Sequence, residues 1–290
     1  MERPLPGVRI GHWTDATART GCTVILFSEG TVASAEVRGG APASRELALL
    51  EPHRSVQHID AAVLTGGSAF GLACADGVMR HREEAGRGVP TPAGRVPIVP
   101  TLGLYDLAVG DPTVRPGPEA GYFAARTASD GPITTGTIGA GTGATVSKLN
   151  GPEHARPGGL AAATVTAGTV AMQAVVAVNA LGAIDSDGTG VDVDVDPVGV
   201  RPGGDWFGNT TIGVIMTNAR LDKIGCLHVA QGGHDGLARA IAPPHLSHDG
   251  DAFIAAATGD VDLPEGLGVD LVRTLALRAV SQAIRAVAST

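Results

Sequence analysis

The chain has 290 residues, 43% of them hydrophobic and only 3% aromatic, with a net charge of −8 at neutral pH. That length and apolar content suffice for a substantial core, read here as one domain over residues 1–290 whose layers must be built from Ala, Val, Leu and Ile. The acidic balance, with no Lys/Arg cluster, excludes nucleic acid as the main partner, and no apolar run approaches the roughly 18 residues of a membrane-spanning helix. No apolar leader region follows Met1–Pro6, and Cys22, Cys74 and Cys226 lack a paired spacing, so reduced, buried thiols in a cytoplasmic protein are expected.

In chain order, β-branched runs predict strands over 22–27, 32–37 and 61–64, then a helix over 70–84 with Ser68 as its N-cap. A strand over 96–99 and a helix over 119–128 follow, then strands over 161–167 and 169–178. The last third predicts a strand over 211–216, a helix over 222–242, a strand over 252–257 and a helix over 269–287. In that final helix Val269, Val272, Leu275, Val280, Ile284 and Val287 form an apolar stripe, and Asp222 and Asp270 stand near helix starts, where a carboxylate meets exposed N–H groups. The mixture implies a layered α/β fold. Residues 182–208 differ from the rest, being rich in Gly and in Asp185, Asp187, Asp192, Asp194, Asp196 and Asp205. Their acidic spacing does not match a calcium loop, so a solvated linker is expected, free to let two new chain ends separate after a cut.

The chemistry concentrates just beyond that linker, in Gly208-Asn209-Thr210-Thr211-Ile212. A Thr hydroxyl is a poor nucleophile unless a nearby base takes its proton, and breaking the Asn209–Thr210 bond would give Thr210 an α-amine of pKa about 7.7–8.0 for that task. The plain alternative is a polar turn entering a buried strand. Asp249 and Asp251, two residues apart before the strand over 252–257, point the same way if extended, and could orient the proton chain or hold a substrate amine; a solvated Asp-Gly turn is the alternative. Asn179 ends an apolar run, where its amide could donate to an oxyanion or cap a turn. The Gly-rich stretch 139–143 lacks both the dinucleotide acidic partner and the Walker ending, with Lys148 standing alone after Ser147. Gly66-Gly67-Ser68-Ala69-Phe70 misses the nucleophile-elbow pattern at Phe70, and His245 and His248 read as a loop pair without metal-ligand spacing.

Together, residues 64–72, the stretch 139–143, Asn179, the Asn209-Thr210 junction and Asp249-Gly250-Asp251, in this order, resemble the self-cleaving aminopeptidase family. That family includes D-aminopeptidase/esterases, β-peptidyl aminopeptidases and nylon-oligomer (6-aminohexanoate oligomer) hydrolases. The resemblance implies a four-layer αββα sandwich of the N-terminal-nucleophile-hydrolase type, self-cleaved into 1–209 and 210–290 and assembled as a homotetramer. It implies Thr210 as nucleophile, Asp249 and Asp251 as the acidic pair of the Thr branch, Asn179 as oxyanion amide, and Lys148 and Tyr105 as further site residues. The expected activity is hydrolysis of small peptide-like or ω-amino-acid amides with no metal or organic cofactor. A non-catalytic small-ligand-binding protein of the same fold is the alternative.

Overall fold

Alternation of apolar side chains along paired strands builds the architecture. The computed structural model describes residues 2–149, 151–189, 208–266 and 268–288. Six strands in the first third are β1 (Arg9–Asp15), β2 (Thr20–Leu26), β3 (Val32–Val37), β4 (Ala43–Arg45), β5 (Ala61–Thr65) and β6 (Thr101–Gly103). Four longer ones follow: β7 (Gly159–Ala167), β8 (Val170–Asn179), β9 (Thr210–Ala219) and β10 (Ala252–Val261). The helices that cover them are α1 (Cys74–Glu84), α2 (Pro118–Arg126), α3 (Lys223–Ala238) and α4 (Gly268–Val287). One five-stranded sheet runs β1-β2-β5-β6-β4, and the other β7-β8-β9-β10-β3. In the second sheet β9 is antiparallel to β8 and parallel to β10.

Side chains on a strand alternate between faces, so each sheet feeds two cores. From the second sheet, Val175, Ala177, Ile212, Val214, Ile254 and Ala256 face inward to meet Ile25, Leu64 and Leu102 of the first. Their neighbours Val176, Val178, Ile215, Phe253 and Ala255 face outward onto Val229 of α3 and Val272, Leu275 and Val280 of α4. The outer face of the first sheet, with Cys22, Val24, Ala61 and Val63, packs on Cys74 and Val78 of α1 and Ala120 and Ala124 of α2. Three cores separate four layers, which is the αββα sandwich expected.

Several boundaries differ from the expectation. The sheet strand near 96–99 is β6, because Pro97 and Pro100 cannot donate to a ladder. Side chains replace the missing ladder bonds: Ile98 N–H donates to Asp60 Oδ2 and Val99 N–H to Glu46 Oε2. The helix expected over 70–84 splits into a turn, Ser68–Gly71, and α1. Gly67, in a left-handed conformation, precedes that turn, and no side chain caps it, so Ser68 is not an N-cap. The helix over 222–242 stops at Ala238, because residues ahead of Pro243 favour extended backbone; Ile241–Ala242 pairs instead with Ala183–Ile184. Asp222 caps α3 as expected, its Oδ1 accepting from Gly225 N–H at 2.7 Å. Asp185 is buried and paired with Arg285 at 3.2 Å rather than solvated, while Asp192, Asp194, Asp196 and Asp205 lie outside the described residues. β1 and β4 have no counterpart in the sequence expectation.

The α1–α2 contact depends on a missing side chain. A Cβ on Gly121 would overlap the backbone carbonyl oxygen of Cys74, which cannot move without breaking the helix start. We expect Gly121→Ala to cost about 1–3 kcal/mol, read as a lower thermal unfolding midpoint. An unchanged midpoint would show that the two helices are not packed this closely.

Candidate active site

Three strands of the second sheet converge at one end. β8 finishes at Asn179, directly opposite Thr210, the first residue of β9. On the other side of β9, the segment leading into β10 runs parallel, with Asn209 bridged to Asp249. Thr210 therefore lies between Asn179 and the Asp249-Gly250-Asp251 segment, and all four polar residues are buried. Lys148 comes from the loop after Thr145–Val146, held by Lys148 N–H donating to the Leu181 carbonyl at 2.8 Å. Tyr105 follows β6 of the other sheet. All six residues expected at a catalytic site, and the Asn209–Thr210 junction, thus assemble at one place.

The hydrogen bonds define the arrangement. The Thr210 hydroxyl donates to the carbonyl oxygen of Asn209, and Gly250 N–H donates to the same oxygen at 3.1 Å. Asn179 Nδ2 donates to the carbonyls of Tyr105 and Gly208, both at 2.9 Å. Lys148 Nζ donates to Asn179 Oδ1 and to the Gly208 carbonyl, both at 3.1 Å. Tyr105 contributes its backbone carbonyl, while its ring lies beside Gly208, whose absent Cβ would stand 3.0 Å from Tyr105 Cδ1. Asp251 Oδ1 accepts Thr211 N–H at 2.7 Å, and its Oδ2 accepts from His245 Nδ1 at 2.9 Å. Asp249 Oδ2 accepts Leu246 N–H at 2.7 Å, whereas its Oδ1 is buried with no hydrogen-bond partner.

Burial sets the electrostatics. It lifts the Asp249 carboxyl to about 6, with the Asp251 charge adding to the shift; Leu246 N–H, His245 and Lys148 oppose it. Burial also lowers Lys148 to about 7, against the pull of the Asp249 charge. An acid and an amine that each change charge near neutrality therefore share one buried pocket, as suits groups that exchange protons.

Four contributors escaped the sequence reading. Thr145 donates its backbone N–H to Asn179 Oδ1 at 2.9 Å and so orients the amide. Asp106 accepts Gly67 N–H at 2.7 Å and the Thr20 hydroxyl at 2.8 Å, fixing the turn beside Tyr105. His245, read as half of a loop pair, braces Asp251, and Gly250, noted only between the two carboxylates, donates its N–H to the Asn209 carbonyl. Only Gly250 carried a usable signal, its place between two carboxylates. The stretch 139–143 forms no phosphate cradle at Gly139, Ala140, Gly141 and Thr142, whose N–H groups all donate inside the fold. Among the described residues, no group of three or more His, Cys, Asp or Glu could hold a metal, and no helix is long and apolar enough to cross a membrane.

The layered fold is that of the N-terminal-nucleophile hydrolases. The solved L-aminopeptidase D-Ala-esterase/amidase of Ochrobactrum anthropi, described as a variant of that fold, superposes with a TM-score of 0.70 at 19% identity, covering 97% of this chain and 83% of that one. The chain belongs to peptidase family S58, whose family description matches residues 4–290. It is 40% identical to an uncharacterised aminopeptidase of Mycobacterium leprae over 89% of this chain and 78% of that protein. It is also 31% identical to the 6-aminohexanoate-oligomer endohydrolase of Paenarthrobacter ureafaciens, over 89% of this chain and 75% of that enzyme.

Lys148 and Lys223 are the only lysines in the chain, so the titration of Lys148 is directly readable. Asp249→Asn removes the negative charge that holds the ammonium up, and we expect Lys148 to titrate below about 7 in that variant, followed by NMR of labelled lysine. A titration that stays put would mean the two groups do not interact.

Proposed function

We propose that this chain is a self-processing amide hydrolase whose nucleophile is Thr210. The observation that carries the reading is the Thr210 hydroxyl lying against the Asn209 carbonyl, with the buried, unpartnered Oδ1 of Asp249 belonging to the neighbouring segment. In the uncut chain Thr210 has no free amine, so Asp249 takes the hydroxyl proton as Oγ1 attacks the Asn209 carbonyl carbon. The C–N bond to Thr210 then breaks, and its nitrogen receives that proton, leaving an ester between Asn209 and Oγ1. Water hydrolyses the ester: its oxygen joins the Asn209 carbon, a proton returns to Oγ1, and Thr210 is left with a free α-amine. In later turnovers that amine takes the hydroxyl proton, Oγ1 attacks a substrate amide, and water releases the acyl group. Asn179 donates to the substrate oxyanion.

Family membership supports an amide substrate. The aminopeptidase relative and the oligomer endohydrolase relative together favour small peptide-like or ω-amino-acid amides. A panel of D-, L- and β-aminoacyl amides with aminohexanoate oligomers, run on fully cut protein, tests the class; inactivity on all of them would discard it.

The purified protein is expected to resolve on a denaturing gel into chains of residues 1–209 and 210–290, with Thr210 as a new N-terminus. Thr210→Ala should fold but stay whole and inactive, whereas Thr211→Ala should still be cut. Cutting of the Thr210→Ala chain at this junction would remove Thr210 from the role.

The pH dependence follows from the base. Asp249 is neutral below about 6 and ionised above, so the self-cleavage rate should climb through pH 6 and level off beyond it. Asp249→Asn should cut slowly at every pH. A rate that falls as pH rises through 6 would require a different base.

A further inference from the structure

At the uncut junction two consecutive backbone carbonyls, those of Gly208 and Asn209, are served by different donors. A primary amide offers two N–H bonds, and both of those on Asn179 are committed, one to Tyr105 and one to Gly208. Lys148 Nζ is turned to Asn179 Oδ1 and the same Gly208 carbonyl. The Asn209 carbonyl, where charge would build during self-cleavage, instead accepts Gly250 N–H. Gly250 can approach this closely because it has no side chain. A Cβ there would stand 2.7 Å from Thr210 Oγ1 and 3.0 Å from the Ala41 carbonyl oxygen.

The geometry points to a division of labour, which rests on the self-cleavage reading above: Gly250 N–H is the oxyanion donor for the chain's own Asn209–Thr210 bond, and the Asn179 amide is the donor for substrate. As Oγ1 adds to the Asn209 carbon, the carbonyl oxygen gains negative charge while already bonded to Gly250 N–H. It loses that charge when the C–N bond to Thr210 breaks. Once cut, the 208–209 tail can withdraw, and one N–H of Asn179 and one of Lys148 lose the Gly208 oxygen they were holding. An amide substrate presents its own carbonyl to those donors. The Gly208 carbonyl thus keeps the substrate donors occupied until maturation is complete.

Two altered chains separate the roles. In the first, Gly250→glycolate replaces the 249–250 peptide by an ester, deleting the N–H and adding no Cβ. Its self-cleavage should slow about 10²–10³-fold, the cost of removing one oxyanion donor. In the second, Asn179→Ala, cutting should stay within about tenfold of the unaltered chain, while amide turnover by the cut product falls about 10²–10³-fold. Asn179→Ser is the companion if the alanine variant does not fold, as judged by its thermal unfolding. Slow cutting in the Asn179 variants, or normal cutting in the glycolate chain, would overturn the division. Failure of the unaltered chain to cut would instead overturn the reading on which it rests.

Discussion

Everything at the site depends on register in the second sheet. β9 begins at Thr210 with β8 antiparallel on one side and β10 parallel on the other, so three chain segments reach the same level together. A slip of one residue on β9 would send every alternating side chain to the opposite face, placing Ile212 and Val214 outside the central core. The buried apolar pattern thus fixes which of two adjacent threonines stands opposite Asn179. Packing that stabilises the sandwich also positions the hydroxyl, because the strand that carries Thr210 is buried along its whole inner face.

Burial has a second consequence. Removing water from this end of the sheet penalises both an ionised carboxylate and an ionised amine, and the fold offsets only part of each penalty. Asp251 accepts Thr211 N–H and is braced by His245, while Asp249 keeps one oxygen unpartnered. Two carboxylates drawn from one short segment therefore take different tasks: Asp251 ties β9 to the segment, and Asp249 retains an open acceptor near neutrality. Lys148 supplies the nearby positive charge, and its lowered basicity follows from the same loss of water.

The layers were legible in the sequence because strands buried on both faces are apolar runs and covering helices show stripes, as 169–178 and 269–287 do. What escaped was whatever depends on tertiary partners. β1 alternates too weakly to stand out, yet it pairs with β2 along its full length. The turn at 98–99 has backbone donors satisfied by Asp60 and Glu46, residues about 40 to 50 positions away in the chain. The same holds for the site. Thr210, Asn179 and the acidic pair were readable from residue type and motif order, but Thr145, Asp106 and His245 act only through the residues they hold, and no local pattern marks them.

Gly250 shows how a backbone group can escape a search made by side chain. Its contribution is an N–H and an absence, and the absence is the more demanding requirement. The Thr210 hydroxyl and the Gly250 N–H both reach the Asn209 oxygen, which is possible only if nothing fills the space between strand and segment. A side-chain donor in that space would have displaced the hydroxyl it was meant to assist. A backbone donor held in place by the bridge between Asn209 and Asp249 also needs no rearrangement as charge develops. In the proposed self-cleavage the Asn209–Thr210 bond is broken once, and a donor carried by the segment bridged to that strand is the arrangement that requires least motion. In the proposed turnover a substrate enters and leaves many times, and a side-chain amide that can be released from one carbonyl and taken up by another suits that task.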